Sequence, residues 1–199
     1  GKVWFSDASQ KFDLAHFILE AWETRPTGRL FSFDPSTGDT ELHLDNLMFA
    51  NGVALGPDEA YVLVNETFRM RTLRLWLKGE RAGQSEMFMD GLPGFPDNLS
   101  YNDDGIFWMA LTGPRMEMVE SLWTGTFLRK VLFRLPSSLH GAKQQPFGWV
   151  LGVNLEGKVV HNLQDPSGTY GTITSVNEFD GQLYLGSVAM TSVGRFGKP

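Results

Sequence analysis

Two stretches of this chain carry the same punctuation one repeat apart: Phe49-Ala50-Asn51-Gly52-Val53-Ala54-Leu55-Gly56-Pro57-Asp58-Glu59 and Phe95-Pro96-Asp97-Asn98-Leu99-Ser100-Tyr101-Asn102-Asp103-Asp104-Gly105. Each sets a side-chain oxygen immediately before an alternating run. An Asp-rich turn follows, then a second, more apolar run at 61–64 or 106–111. Period-two alternation bounded by turn residues is the pattern of short strands. Its recurrence over the interval from Asn51 to Asp97 is that of propeller blades, which repeat about every 40 to 50 residues with four strands each. Equivalent strand starts in a radial repeat face one axis. Oxygens at Asn51 and Asp97 can therefore converge there on a hard cation or a polar substrate.

The rest of the chain obeys the same grammar. Strands are expected at 3–6, 29–33, 40–44, 53–55, 61–65, 72–77, 85–89, 99–101, 106–110, 148–154, 159–163, 173–177, 182–186 and 193–196, separated by Gly, Pro, Asn and Asp. A third copy over 173–186 brings Asp180-Gly181 into line with Asp104-Gly105, and the opening residues 1–7 read as the turn and second strand of a repeat whose first strand is missing. Two segments interrupt the strands. Residues 12–25 put Leu14, Phe17, Ile18, Ala21 and Trp22 at helical spacing, with Asp13 as N-cap and Pro26 beyond the end, which predicts a helix laid on a sheet. A helical insertion is expected at about 113–147. Met118, Val119, Leu122 and Trp123 form one apolar stripe there, and Phe127, Leu128, Val131, Leu132 and Leu135 a second, with Gly125 between them and Pro136 at the end. Such stripes read as packing against the propeller; the sharper alternative is a mobile lid or a membrane-surface helix, given Arg129, Lys130 and Arg134.

Composition narrows the partners. The 199 residues carry a net charge of -6 with no Lys/Arg cluster, which argues against nucleic acid as the main partner; a small-molecule substrate is the expected one. Cysteine is absent, so disulfides, thiolate metal sites and a Cys nucleophile are excluded. No apolar run approaches the roughly 18 to 20 residues of a membrane helix. His16, His43, His140 and His161 show no zinc-ligand spacing and read as satisfied surface histidines. Asn65-Glu66-Thr67 and Asn98-Leu99-Ser100 match the glycosylation pattern by chance on this reading.

Thr27-Gly28-Arg29-Leu30, the run 49–59, Arg74-Leu75-Trp76-Leu77-Lys78-Gly79, the run 91–98, Phe107-Trp108-Met109-Ala110-Leu111, Leu163-Gln164-Asp165-Pro166 and Leu183-Tyr184-Leu185-Gly186-Ser187 resemble the strictosidine synthase-like family over nearly the whole chain. The resemblance implies an all-β, six-bladed β-propeller related to gluconolactonases, regucalcin and the paraoxonases. At about 45 residues per blade the chain supplies roughly three and a half blades and reads as the C-terminal part of a longer protein.

The resemblance also implies a site. Asn51 matches the asparagine that ligates the central metal in the gluconolactonase and paraoxonase relatives, Asp97 matches their aspartate ligand, and Asn98 matches the asparagine that follows it in paraoxonases. One carboxylate with amide oxygens suits Ca²⁺, which takes 6 to 8 oxygens; the remaining ligands would come from earlier blades. The bland alternative makes Asn51-Gly52 a turn and Asp97 a capping residue after Pro96. The glutamate with which strictosidine synthase joins an amine to an aldehyde falls at Thr174, while Glu178 reads as part of the following turn. A threonine hydroxyl is no general base near neutral pH without an activating partner. The expectation is therefore a Ca²⁺-assisted hydrolase of the lactonase or arylesterase type, with no base identified. A condensing enzyme and a non-catalytic binding propeller are the alternatives.

Overall fold

Short runs of β-branched and aromatic residues between turn formers become strands, and within each sheet every strand pairs antiparallel with its neighbour in sequence. The computed structural model describes residues 1–116, 120, 131, 134 and 146–199. Both apolar stripes of the expected insertion, apart from Val131, and also His140, lie outside the described residues. Four sheets result. The first holds β1 (Val3–Asp7), β2 (Gly28–Phe33) and β3 (Thr40–Leu47); the second holds β4 (Ala50–Leu55), β5 (Tyr61–Glu66), β6 (Arg71–Trp76) and β7 (Ser85–Met89). The third holds β8 (Gly94–Tyr101), β9 (Ile106–Pro114), β10 (Gly148–Asn154) and β11 (Val159–Asp165), and the fourth β12 (Ile173–Phe179), β13 (Gln182–Ser187) and β14 (Gly194–Gly197). Every strand expected from the sequence is present.

The sheets pack face to face because their middle strands are apolar on both sides. In β9, Phe107, Met109 and Leu111 point toward the second sheet and join Leu63, Phe88 and Leu99 in one core. Trp108 and Ala110 point the opposite way, into a core with Val150, Val176 and Leu183 of the third and fourth sheets. A third core, with Leu30, Val62, Val64 and Leu75, joins the first sheet to the second. Successive side chains alternate faces, so one uninterrupted apolar run serves two layers. Each fully buried large side chain contributes about 1.5–3 kcal/mol of transfer free energy.

The first sheet lacks a strand in the innermost position among the described residues. Ser6 of β1 donates to Asn51 O (2.5 Å) as Asn65 of β5 donates to Asp97 O (2.6 Å), which makes β1 the counterpart of β5 and not of β4. The reading of residues 1–7 as a second strand agrees with this.

The first helical segment is shorter than its pattern. A 3₁₀ turn at Leu14–His16 gives way at Phe17 to α1 (Ile18–Glu23), which ends where Thr24 turns left-handed at φ 52° and donates to Glu20 O. Asp13 does cap the start, accepting from His16 N at 3.0 Å. The break at Phe17 resets the periodicity. Glu20, Ala21 and Trp22 are buried, whereas Leu14 and Phe17, expected on the same apolar face, are exposed.

Candidate metal centre

Strand β4 packs on β8 and β8 on β12, so these three line one side of a common axis. Each carries one residue more than its partner at the same height. The extra residue falls between Ala50 and Val53, which pair with Glu66 and Val64; between Pro96 and Leu99, which pair with Leu111 and Met109; and between Ile173 and Ser175, which pair with Ser187 and Gly186. A bulge releases a residue from the ladder and re-aims its side chain. The residues so released are Asn51-Gly52, Asp97-Asn98 and Thr174. The turn-and-cap alternative is thereby overturned: Asn51, Gly52, Asp97 and Asn98 lie inside strands. Those strands start before the sequence alternation does, because the bulges interrupt it.

The backbone is strained at this level. Phe49, two residues before Asn51, sits at φ 59°, and Thr172, two residues before Thr174, at φ 52°. A left-handed non-glycine residue costs on the order of 1–3 kcal/mol and persists where its surroundings impose it. At Phe49 the carbonyl accepts from Thr67 N (3.1 Å) and the ring packs 4.9 Å from that of Phe68.

The oxygens are arranged as an acceptor set. Asn51 Nδ2 donates to Thr67 Oγ1 (3.2 Å). Asn98 Nδ2 donates to Thr174 O (2.8 Å) and to Asp97 Oδ1 (3.0 Å). Both amides thus turn their nitrogens to protein acceptors, and neither carbonyl oxygen receives a hydrogen bond from the described residues. Asp97 is half-buried and has no cationic partner among them. Burial pushes its carboxyl up to about 7, against hydrogen bonding from the Asn51 side chain and the Asn98 backbone, which lowers it. A carboxylate short of compensating charge beside two unaccepted amide oxygens fits part of the shell of a hard cation. No group of three or more His, Cys, Asp or Glu side chains forms among the described residues.

The strictosidine synthase family model matches residues 1–80. Strictosidine synthase-like 10 of Arabidopsis thaliana is 37% identical over 198 residues, covering 96% of this chain and 53% of the relative. Along nearly its whole length the chain is similar to the strictosidine synthase-like proteins. The adipocyte plasma membrane-associated protein of Rattus norvegicus is 35% identical over 192 residues, 94% of this chain and 51% of its own. The chain therefore spans about half the length of the curated relatives it matches. Among solved structures, the calcium-binding protein regucalcin of Agrobacterium tumefaciens aligns with a TM-score of 0.59 at 15% identity, over 93% of this chain and 49% of that one. A gluconolactonase of Xanthomonas campestris aligns at 0.58 and 16%, over 94% and 50%. At such identities these two carry the fold alone, that of a β-propeller.

Within a strictosidine synthase-like frame, the residue aligned with the synthase glutamate is Thr174, and it occupies the bulge of β12 with its carbonyl bound by Asn98. Glu178 lies in β12, and not in the turn as the sequence suggested. Burial works to raise its carboxyl, but Lys198 Nζ (2.8 Å), Trp108 Nε1 (2.7 Å) and Asn102 Nδ2 (2.8 Å) outweigh it and hold the group below the ordinary value. Three donors make it a fastener between β12, the turn after β8, β9 and the C-terminal residues. The described histidines have structural partners: His16 meets Asp13 (2.7 Å), His43 meets Ser32 (2.8 Å) and His161 stacks on Trp108. Asn65, which drew notice only as a glycosylation match, is wholly buried. Its bond to Asp97 O had no signal in the sequence, because partners 32 residues apart leave no local pattern.

Proposed function

We propose that this chain carries part of the active centre of a metal-assisted hydrolase acting on a lactone or ester. Asn51, Asp97 and Asn98 would supply oxygen ligands to Ca²⁺. The observation that supports this most directly is the half-buried Asp97 carboxylate set between two amides whose oxygens receive no hydrogen bond from the described residues. When bound, a divalent cation polarises a substrate carbonyl and stabilises the oxyanion that forms from it. The chain's own residues supply one negative charge at Asp97, neutral dipoles at Asn51 and Asn98, and a strained strand entry at Phe49 that holds Asn51 in place.

The condensing alternative is the weaker reading. It needs a carboxylate at position 174, and Thr174 has none; Glu178 is committed to three donors farther along β12.

Isothermal titration of the metal-stripped full-length protein with Ca²⁺ tests the reading. A single site in the wild type, lost in Asp97→Ala, is the expected result. Equal affinity in both would overturn it.

A further inference from the structure

The bulge that presents Asp97 interrupts the register of β8 on β9 between Pro96 and Leu99, beside the backbone carbonyls of Pro96 and Asp97. Both are satisfied across the boundary between the second and third sheets. Thr67 Oγ1 donates to Pro96 O (2.7 Å), and Asn65 Nδ2 donates to Asp97 O (2.6 Å). Asn65, Thr67 and Thr72 are all buried.

The direction of each bond follows from donor counts. A carbonyl can only accept, so Thr67 spends its single hydroxyl proton on Pro96 O and offers only lone pairs elsewhere. Asn51, 3.2 Å away, must therefore present its NH₂ to Thr67 and keep its carbonyl oxygen on the other side. Asn65 is fixed in the same way. Thr72 Oγ1 donates to Asn65 Oδ1 (2.7 Å), which leaves the Asn65 nitrogen for Asp97 O. Two short directional chains thus run from the second sheet to the candidate site: Thr72 to Asn65 to Asp97, and Asn51 to Thr67 to Pro96.

We infer that Thr67 and Asn65 are the positioning residues of the metal site, with Thr67 setting the amide orientation of Asn51 and Asn65 fixing the backbone that carries the Asp97 carboxylate. The inference rests on the metal-site reading above. It goes beyond that reading by assigning the geometry of Asn51 and Asp97 to a buried hydroxyl and a buried amide that touch no ligand themselves. Thr67 can do this only with both a donor and an acceptor, a requirement that serine meets and the near-isosteric valine does not.

The test uses Thr67→Val and Thr67→Ser, each shown by thermal melting to be folded. Two readouts are taken: Ca²⁺ affinity by calorimetry, and the side-chain NH₂ resonances of Asn51 by NMR in the metal-free protein. The expected result is a loss of affinity of at least tenfold in Thr67→Val with shifted or broadened Asn51 resonances, and both properties near wild type in Thr67→Ser. Asn65→Asp, which keeps an acceptor for Thr72 and removes the donor to Asp97 O, should also lower affinity. Wild-type affinity with unchanged Asn51 resonances in Thr67→Val would overturn the assignment. Equal loss in valine and serine variants would overturn it too, since it would mark general packing damage. If the wild type takes up no Ca²⁺, the metal reading falls by itself. The Asn51 resonances then decide the positioning role alone: perturbation by valine but not serine supports it, and any other pattern overturns it.

Discussion

Gly52 lies against the backbone of Asp97, so closely that a Cβ on it would stand 2.4 Å from Asp97 O and 2.6 Å from Asn98 Cα. The glycine is required by approach, since its φ is not in the left-handed region. It lets the bulges of β4 and β8 come together and bring Asn51 to Asp97. Gly52→Ala should force the two strands apart, with a loss of about 1–3 kcal/mol typical of overpacking and a parallel loss of Ca²⁺ affinity. Denaturant melts and calorimetry on the same preparation check both. Unchanged stability would mean that β4 and β8 yield more readily than their contact implies.

The acid-base behaviour of the site has a defined sign. The Asp97 carboxyl is raised from an ordinary value of 3.8 to about 7, so the metal-free fold is favoured while the group is protonated. That contribution is fully present below 3.8 and is lost as pH rises through about 7. Protons and Ca²⁺ compete for the same carboxylate. Affinity should therefore rise about tenfold per pH unit below the carboxyl's value and level off above it. Calorimetric titrations across that range, in wild type and in Asp97→Asn, provide the check; the variant should show a flat profile.

Glu178 responds in the opposite direction. Its carboxyl is held below the ordinary 4.5, so its contribution is complete above that value and is lost as pH falls through the lowered one. Glu178→Gln should lower the melting temperature at neutral pH and narrow the gap to wild type under acid conditions. Parallel melts at neutral and acid pH measure that gap.

Chemistry separates the two enzyme readings. With Thr174 in place of a carboxylate, the full-length protein should hydrolyse a lactone or aryl ester, lose that activity to a chelator and regain it with Ca²⁺, and should not condense tryptamine with an aldehyde. Chelator-resistant condensation without hydrolysis would reverse the ranking. Inactivity toward a broad ester and lactone panel would favour a binding propeller.

The end sheets carry their own expectation. Val3 and Phe5 on β1, and Phe179, Val188 and Val193 around the fourth sheet, are exposed, and β1 has no inner neighbour within its own sheet among the described residues. Open strand edges beside apolar side chains favour edge-to-edge pairing. The isolated chain should self-associate in light scattering coupled to size exclusion. A monodisperse monomer with a sharp melt would contradict this.

Much of this was legible in the sequence because it is local. The fourteen strands follow from alternation and turn residues, and the repeat register put Asn51-Gly52 and Asp97-Asn98 at matching places before any contact was known. What escaped was decided by tertiary contact. Bulges blur alternation, so β4 and β8 start earlier than the pattern shows. The expected helix over 12–25 breaks at Phe17, whose ring packs on Phe49 and Phe68, while Leu14 is left exposed. Asp180-Gly181 and Asp104-Gly105 align in sequence yet close different loops. The first is a two-residue turn with both φ positive, and the second ends a connection over 102–105. Asn65 lies at the end of β5 and Thr67 just beyond it, a stretch of no special composition, and their hydrogen bonds are made to residues some thirty positions away.

The three bulges at one height separate where a side chain stands from what it is. The same backbone device presents an asparagine on β4, an aspartate on β8 and a threonine on β12. Exchange of side chains at these stations leaves the ladder intact, whereas deletion of one residue would close the bulge and turn the side chain to the opposite face. Such a frame can change its chemistry by point substitution while resisting change by insertion or loss. A scaffold of that kind can exchange the groups it presents at a handful of addresses without refolding.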